Sequence, residues 1–271
     1  MKLSVIITTY NAEEWLHKVL VGYSVQTTDD FEIVIADDGS TPKVKEVLAL
    51  FSTKFKYPII HVWHEDLGFR KSEILNKAIL KTNADYLLFT DGDCIPRKDF
   101  VSVHLKYQEE GCFLSGGYFK LPMNVSKAIT DEDIIKQNCF SVLWLKNQGL
   151  YLSFKASKLT QNRFFASFMN WLTPTKRTFN GHNTSCFKSD IIAVNGFNED
   201  MQYGGLDREV GERMFNNALF SKQIRYSAVC VHLDHARGYY SQEGWDKNLA
   251  IRAYNKKHQV IKVKNGIEKL A

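Results

Sequence analysis

Apolar and polar positions along the first half of the chain follow two periods in turn. Leu3 to Tyr10 (LSVIITTY) is a β-branched run without polar alternation, the pattern of a parallel strand buried on both faces. Asn11 then stands three residues before Glu14, which predicts an N-cap and capping box, and Trp15, Leu16, Val19, Leu20 and Tyr23 supply a helical apolar stripe. The unit recurs. FEIVIA reads as a strand, DDGS as a turn, and Thr41-Pro42 opens a helix with Val44, Val47, Leu48 and Phe51 on one side. PIIHVW is a third strand, Ile74, Leu75, Ala78 and Ile79 mark the next helix, and DYLLF is the fourth strand. Strands alternating with helices at this spacing predict an α/β fold, a mainly parallel sheet with helices on both faces.

Ligands of such sheets sit outside the carboxyl ends of the strands. Those ends carry Thr8 to Asn11, Asp37 to Ser40, His64 to Arg70 and Asp91 to Asp93, so these polar residues should open on one crevice. Beyond about residue 110 the regular alternation stops. CFLSGGYF reads as a strand, and GHNTSCFKSDIIAVNGF as a strand followed by a short helix capped by Ser189 and ended by Gly196. YGGLDREVGERMFNNAL reads as a Gly-rich turn entering a helix, IRYSAVCVHLDH as a strand finishing in two histidines, and residues 242–257 as a last helix.

Composition narrows the class. With 271 residues and 44% hydrophobic content the chain is globular; no apolar run is long enough to span a bilayer, and polar residues interrupt its start too early for a signal peptide. Five single cysteines without C-x-x-C spacing predict reduced thiols, so the expected location is cytoplasmic. The formal charge of +5 is unevenly placed: no acidic residue falls between Asp133 and Asp190, while Lys136, Lys146, Lys155, Lys158, Arg163, Lys176, Arg177 and Lys188 all do. That segment should seek anions.

Two carboxylates one residue apart, Asp91 and Asp93, close the fourth strand with no basic neighbour before Arg97. A hard divalent cation would resolve their repulsion; a solvated turn is the alternative. His232 and His235 close another strand, and with the carboxylates they would make a mixed nitrogen and oxygen site suited to Mn²⁺, or Mg²⁺. Residues three apart on a straight strand point to opposite faces, so both bind only if the chain bends after His232. Neither G-x-x-x-x-G-K-[ST] nor G-x-G-x-x-G occurs, which disfavours a P-loop NTPase or a dinucleotide oxidoreductase. No RNA- or DNA-binding motif occurs either, so nucleic acid is not an expected partner.

SVIITTYN, IVIADDGS, HEDLGFRKSEILNKAI and LLFTDGDCIP, in this order and spacing, resemble family 2 glycosyltransferases of the Rossmann-like GT-A fold. NGFNEDMQYGGLD followed by HLDH resembles the C-terminal half of the galactosyltransferase and chondroitin-polymerase group. The resemblance implies a single GT-A domain over residues 1–240, with a nucleotide-sugar-binding half (1–120), a basic aromatic insertion (121–177) and an acceptor and metal half (178–240). Residues 241–271 would form a helical extension.

Roles carry over residue by residue. Thr8 and Tyr10 would bracket the uracil and ribose of a UDP-sugar, Asp38 would hydrogen-bond the base, and Glu65, Asp66 and Arg70 would lie along the nucleotide. Asp91 would face the ribose and the metal, with Asp93 the direct ligand, His235 the third protein ligand and His232 a further one. Asp207 matches the Asp of a G-G-E-D motif and would be the catalytic base; a helix N-terminus favours the ionised carboxylate such a role needs. Gly204 and Gly205 would let donor and acceptor approach the backbone. Two positions depart from the pattern: Leu206 stands where relatives have a Glu that helps hold the acceptor, and Tyr203 where a tryptophan often precedes the glycines.

The resemblance thus implies an inverting, metal-dependent transfer of a hexose or N-acetylhexosamine from a UDP-sugar to a saccharide or lipid-linked saccharide, in bacterial surface polysaccharide or lipopolysaccharide assembly. A sugar nucleotidyltransferase, or an inactive glycan-binding scaffold on the same fold, are the alternatives. The acid-free segment has two readings: contact with an anionic membrane surface through bases interleaved with Trp144, Phe154, Phe164, Phe165, Phe168 and Trp171, or an acceptor-side subdomain with those aromatics in its core.

Overall fold

The computed structural model describes residues 1–151, 153–235 and 240–270. Its first half follows the expected order: β1 (Leu3–Thr9), α1 (Glu13–Ser24), β2 (Phe31–Asp37), α2 (Lys43–Leu50), β3 (Ile60–Trp63), α3 (Lys71–Lys81) and β4 (Tyr86–Asp91). These strands pair in parallel in the order β3-β2-β1-β4. Val5 and Ile7 enter one core layer with Leu16, Val19 and Leu20 of α1 and Val44 of α2, whereas Ile6 enters the other with Ile74 and Ala78 of α3. Both faces of β1, β2 and β4 are buried, which is why these strands show no polar alternation, whereas β3 lies at the sheet edge and is only partly buried.

The second half widens this sheet and adds a smaller one. After β5 (Cys94–Pro96), α4 (Phe100–Tyr107), β6 (Cys112–Ser115) and β7 (Gly117–Lys120) come α5 (Met123–Ala128), α6 (Asp131–Ile135), α7 (Val142–Asn147) and α8 (Arg163–Leu172). Then follow β8 (Thr184–Phe187), α9 (Lys188–Ala193), α10 (Leu206–Asn216), β9 (Phe220–Gln223), β10 (Val229–His232) and α11 (Gln242–Lys257). The main sheet has seven strands, β3-β2-β1-β4-β8-β6-β9, with β8 antiparallel to β4 and β6; β5-β10-β7 form a second sheet.

Several local expectations are corrected. CFLSGGYF is two strands in two sheets, because the chain turns where it crosses Asn183: a Cβ on Gly116 would lie 2.0 Å from Asn183 Oδ1. The strand expected across IRYSAVCVHLDH is only Val229–His232, since residues 224–228 form a turn closed by the Ala228 N–H to Ile224 O bond of 2.8 Å. Asn11 does not cap α1. Its φ is +44° and the N-cap is Ala12; the Asn11 N–H donates to Ser40 Oγ (2.9 Å) while its Oδ1 accepts from Thr41 N–H (2.9 Å), tying the end of β1 to the turn after β2. Ser189 does not cap α9 either, since Phe187 holds that position, and the left-handed residue directly after the Val194 C-cap is Asn195 (φ +62°), with Gly196 (φ +67°) one position later.

Helix α10 is anchored by ions inside the core. Arg213 and Glu209, both fully buried, pair at 2.7 Å, and Asn255 of α11 donates to Glu209 Oε1 at 2.7 Å. Asn248 Nδ2 of α11 donates to the carbonyls of Gln202 and Gly204, at 2.9 and 2.7 Å, so the C-terminal helix holds the glycine turn that starts α10.

Candidate active site

Two adjoining cavities of about 660 and about 700 Å³ open at the carboxyl ends of the parallel strands, and Thr8, Phe69, Lys71, Asp91 and Tyr203 wall both. The partition is polar. Asp91 Oδ1 accepts from Lys71 Nζ at 2.6 Å and from Thr8 Oγ1 at 2.8 Å. Burial works against both charges, but the carboxylate outweighs it and raises the Lys71 ammonium above its ordinary range, and the ammonium in turn holds Asp91 well below the usual carboxylate range. The sequence suggested that both aspartates need neutralising from outside the chain. For Asp91 the counter-charge is internal, delivered by the first residue of α3.

The larger cavity is also lined by Tyr10, Asp38, Asp93, His232 and His235. Asp38, at the end of β2, accepts from His64 Nε2 (2.8 Å) and from the Arg70 backbone N–H (3.1 Å), and burial pushes its carboxyl up. Lys77 Nζ lies 3.2 Å from the other His64 nitrogen, which fixes the His64 tautomer as a donor to Asp38. Tyr10 donates to Asp66 Oδ2 at 2.8 Å, and the Arg70 guanidinium bonds Glu73 and the Glu65 carbonyl. Glu65, Asp66 and Arg70 therefore reach the cavity through Tyr10 and Asp38, and the Glu65 side chain is exposed.

Asp93 meets the two histidines. The β10 strand stops at His232, so the chain bends and brings both imidazoles to one carboxylate: His235 Nε2 lies 3.0 Å from Asp93 Oδ2 and His232 Nε2 3.8 Å from Oδ1. His232 Nδ1–H donates to the Leu233 carbonyl at 2.7 Å. With Nδ1 so engaged, Nε2 is the ring nitrogen turned toward Asp93, at a distance too long for a hydrogen bond. Cys94 is adjacent, but burial pushes its thiol far up, so it is no thiolate ligand. A carboxylate and imidazoles without a thiolate fit a hard to borderline divalent cation.

The smaller cavity is walled by Gly181, Gly204 to Asp207, Tyr240 and Trp245. Asp207 sits in the first turn of α10, and its Oδ2 accepts the Gly181 N–H at 3.0 Å. Gly204 and Gly205 have φ of +105° and +78°, and a Cβ on Gly204 would lie 2.7 Å from the Trp245 ring. No other residue type fits there. Leu206, where a Glu was expected, is buried and gives this chamber an apolar wall beside Tyr203, Tyr240 and Trp245.

Sequence reasoning missed Lys71, His182, Tyr240 and Trp245. Lys71 lay in a stretch already singled out, next to Arg70. His182 stands just ahead of β8; because β8 runs antiparallel to β4, its start falls at the carboxyl end of β4, beside Asp91. Burial lowers the His182 pKa to about 4, against the pull of Asp91, and its ring packs on Tyr118 at 4.6 Å, which also meets His232 at 5.7 Å. Tyr240 and Trp245 lie beyond the motif-bearing region and carry no local signal of their own.

Residues 4–179 match the family model described as "Glycosyl transferase family 2". Among curated proteins, an uncharacterized glycosyltransferase of Bacillus subtilis is 25% identical over 92% of this chain and 69% of its own length. Validoxylamine A glucosyltransferase of Streptomyces hygroscopicus subsp. limoneus is 28% identical over 78% of this chain, and chondroitin synthase of Escherichia coli 24% over 85%. The chain spans only 47% and 34% of those two relatives. Among solved structures, S. aureus TarS 1–349 in complex with UDP-GlcNAc superposes with a TM-score of 0.61 at 15% identity, covering 96% of this chain and 70% of that one. A Pyrobaculum calidifontis mannosyltransferase in complex with GDP-Man and Mn²⁺ gives 0.57 at 18% identity, covering 93% and 69%. At these identities the likeness is one of fold, the α/β layout of GT-A glycosyltransferases. The chain belongs to glycosyl transferase family 2.

Proposed function

We propose that this protein transfers a hexose or N-acetylhexosamine from a UDP-sugar to a saccharide acceptor, free or lipid-linked, with inversion and with help from Mn²⁺ or Mg²⁺. The observation that carries the reading is the pair of cavities meeting at Lys71 and Asp91, with Asp93, His232 and His235 on one side and Asp207 on the other. Asp93, His235 and His232 would hold the cation, with Asp91 beside them; when bound, it supplies positive charge to the diphosphate leaving group.

In this reading the larger cavity takes the nucleotide, with Thr8, Tyr10 and Asp38 around base and ribose, and the smaller one takes the acceptor. Its aromatic and apolar walls suit the flat face of a sugar ring. Asp207 accepts the proton of the acceptor hydroxyl as that oxygen attacks the anomeric carbon; the bond to the UDP oxygen breaks and its electron pair leaves with the diphosphate. The Gly181 N–H holds the Asp207 carboxylate in place for that transfer. The likeness to TarS in complex with UDP-GlcNAc supports a UDP-sugar donor, the likeness to a chondroitin synthase supports a saccharide product, and five buried unpaired cysteines support a reducing compartment, the cytoplasm.

The test is nucleotide release from a panel of UDP-sugars, with GDP-mannose as comparator, in Mn²⁺, in EDTA, and with Asp207→Ala. Metal-dependent UDP release that the substitution abolishes supports the reading. Turnover indifferent to both chelator and substitution contradicts it.

A further inference from the structure

Helix α8 turns its aromatic side chains outward. At about 100° per residue, Phe164, Phe168 and Trp171 fall within roughly 60° of one another, on one stripe. They are 90%, 52% and 79% exposed. The opposite face is fixed: Ala166 and Met169 bury against Tyr226, Asn170 Oδ1 accepts the Tyr226 N–H at 2.8 Å, and Asn170 Nδ2 donates to Ser227 at 2.9 Å. Asn162 caps the helix by accepting the N–H groups of Phe164 and Phe165, each at 3.0 Å. The stripe therefore cannot be buried by rolling the helix without breaking these bonds. Of the six aromatics named for the core reading of this segment, Trp144 packs against the main core, whereas Phe154, Phe164, Phe165, Phe168 and Trp171 are exposed.

The charge around the stripe is of one sign. Arg163 opens the helix, Lys176 and Arg177 follow it, Lys155 precedes it, and all four are exposed. No Asp or Glu occurs between Asp133 and Asp190, and no carboxylate pairs with these four among the described residues. An outward aromatic stripe flanked by unpaired cations complements a surface that is apolar beneath an anionic layer.

We propose that α8 docks this protein on the surface of an anionic phospholipid bilayer, with Phe164, Phe168 and Trp171 entering the headgroup boundary and the flanking cations meeting lipid phosphates. The surface is distinct from the two cavities and the proposal does not depend on the donor. The same segment runs on from Arg177 to Gly181, which walls the smaller cavity and whose N–H bonds Asp207.

Co-sedimentation of the full chain with vesicles tests this. Binding to vesicles of phosphatidylcholine with phosphatidylglycerol should exceed binding to phosphatidylcholine alone by roughly tenfold or more, and fall with added salt. The variant Phe164→Ser/Phe168→Ser/Trp171→Ser should lose binding roughly tenfold or more while keeping the thermal midpoint of the parent. Should that variant misfold, Trp fluorescence of the intact chain decides: brominated lipids should quench it, and Trp171→Phe should remove most of the quenching. An intact chain that ignores anionic vesicles, or binds equally well without the stripe, overturns the proposal. So does a dimer in light scattering that the substitutions split and that shows no vesicle binding, which assigns the face to a second copy.

Discussion

Lys71 Nζ lies 2.6 Å from Asp91 Oδ1, and this one ion pair forms the partition between the two cavities. Lys71→Met leaves a largely buried carboxylate without its counter-charge, which should cost about 1–3 kcal/mol of stability. Adding Asp91→Asn should recover much of that stability and none of the turnover. Chemical denaturation and UDP-release assays on the single and double variants check both halves; a double variant less stable than Lys71→Met contradicts the pairing.

Asp207 should matter to chemistry and little to donor binding. Asp207→Asn keeps the shape of the side chain and removes the base, so turnover should fall about 10²–10⁴-fold. Calorimetry should show UDP affinity close to that of the parent, because Asp207 walls only the smaller cavity.

The buried Arg213–Glu209 pair should be a stability element. Glu209→Ala strands a guanidinium that is fully buried, at a cost of about 3–5 kcal/mol, read as a shift of the denaturation midpoint. Because α10 carries Asp207, turnover should fall with it even below the melting transition.

Stability should also fall in mild acid. His104 of α4 is buried between Ser185 Oγ (2.7 Å) and Asn183 Oδ1 (2.9 Å), and burial lowers its pKa from 6.5 to about 4. Between those values the unfolded chain binds a proton that the folded chain refuses, so stability present above pH 6.5 is lost as pH falls toward 4. The loss from this group should be about 2 kcal/mol between about pH 7 and about pH 5. The difference in pH slope between the parent and His104→Gln isolates it.

The first half of the fold was legible because β1, β2 and β4 are buried on both faces and each helix there carries an apolar stripe. The second half was not, because strands of three or four residues such as β5 and β7 are set by pairing across the chain rather than by their own pattern. The same divide runs through the candidate site. Asp91, Asp93, Asp207 and both histidines announced themselves at strand or helix ends, and they line the two adjoining cavities, Asp93 and the histidines on one side of Asp91 and Asp207 on the other. Lys71 reads locally as an ordinary first-turn lysine, and only tertiary packing aims it at Asp91. His182 needed the antiparallel sense of β8 to be known, and Trp245 needed the docking of α11 on the glycine turn.

The most direct measurement is UDP binding by calorimetry with and without Mn²⁺, on the parent and on Asp93→Asn and His235→Ala. The account predicts tight binding only with the metal, and loss of that metal dependence in both variants. UDP binding that is equal with and without Mn²⁺, or untouched by either substitution, would contradict a cation held between the strand-end carboxylate and the imidazoles.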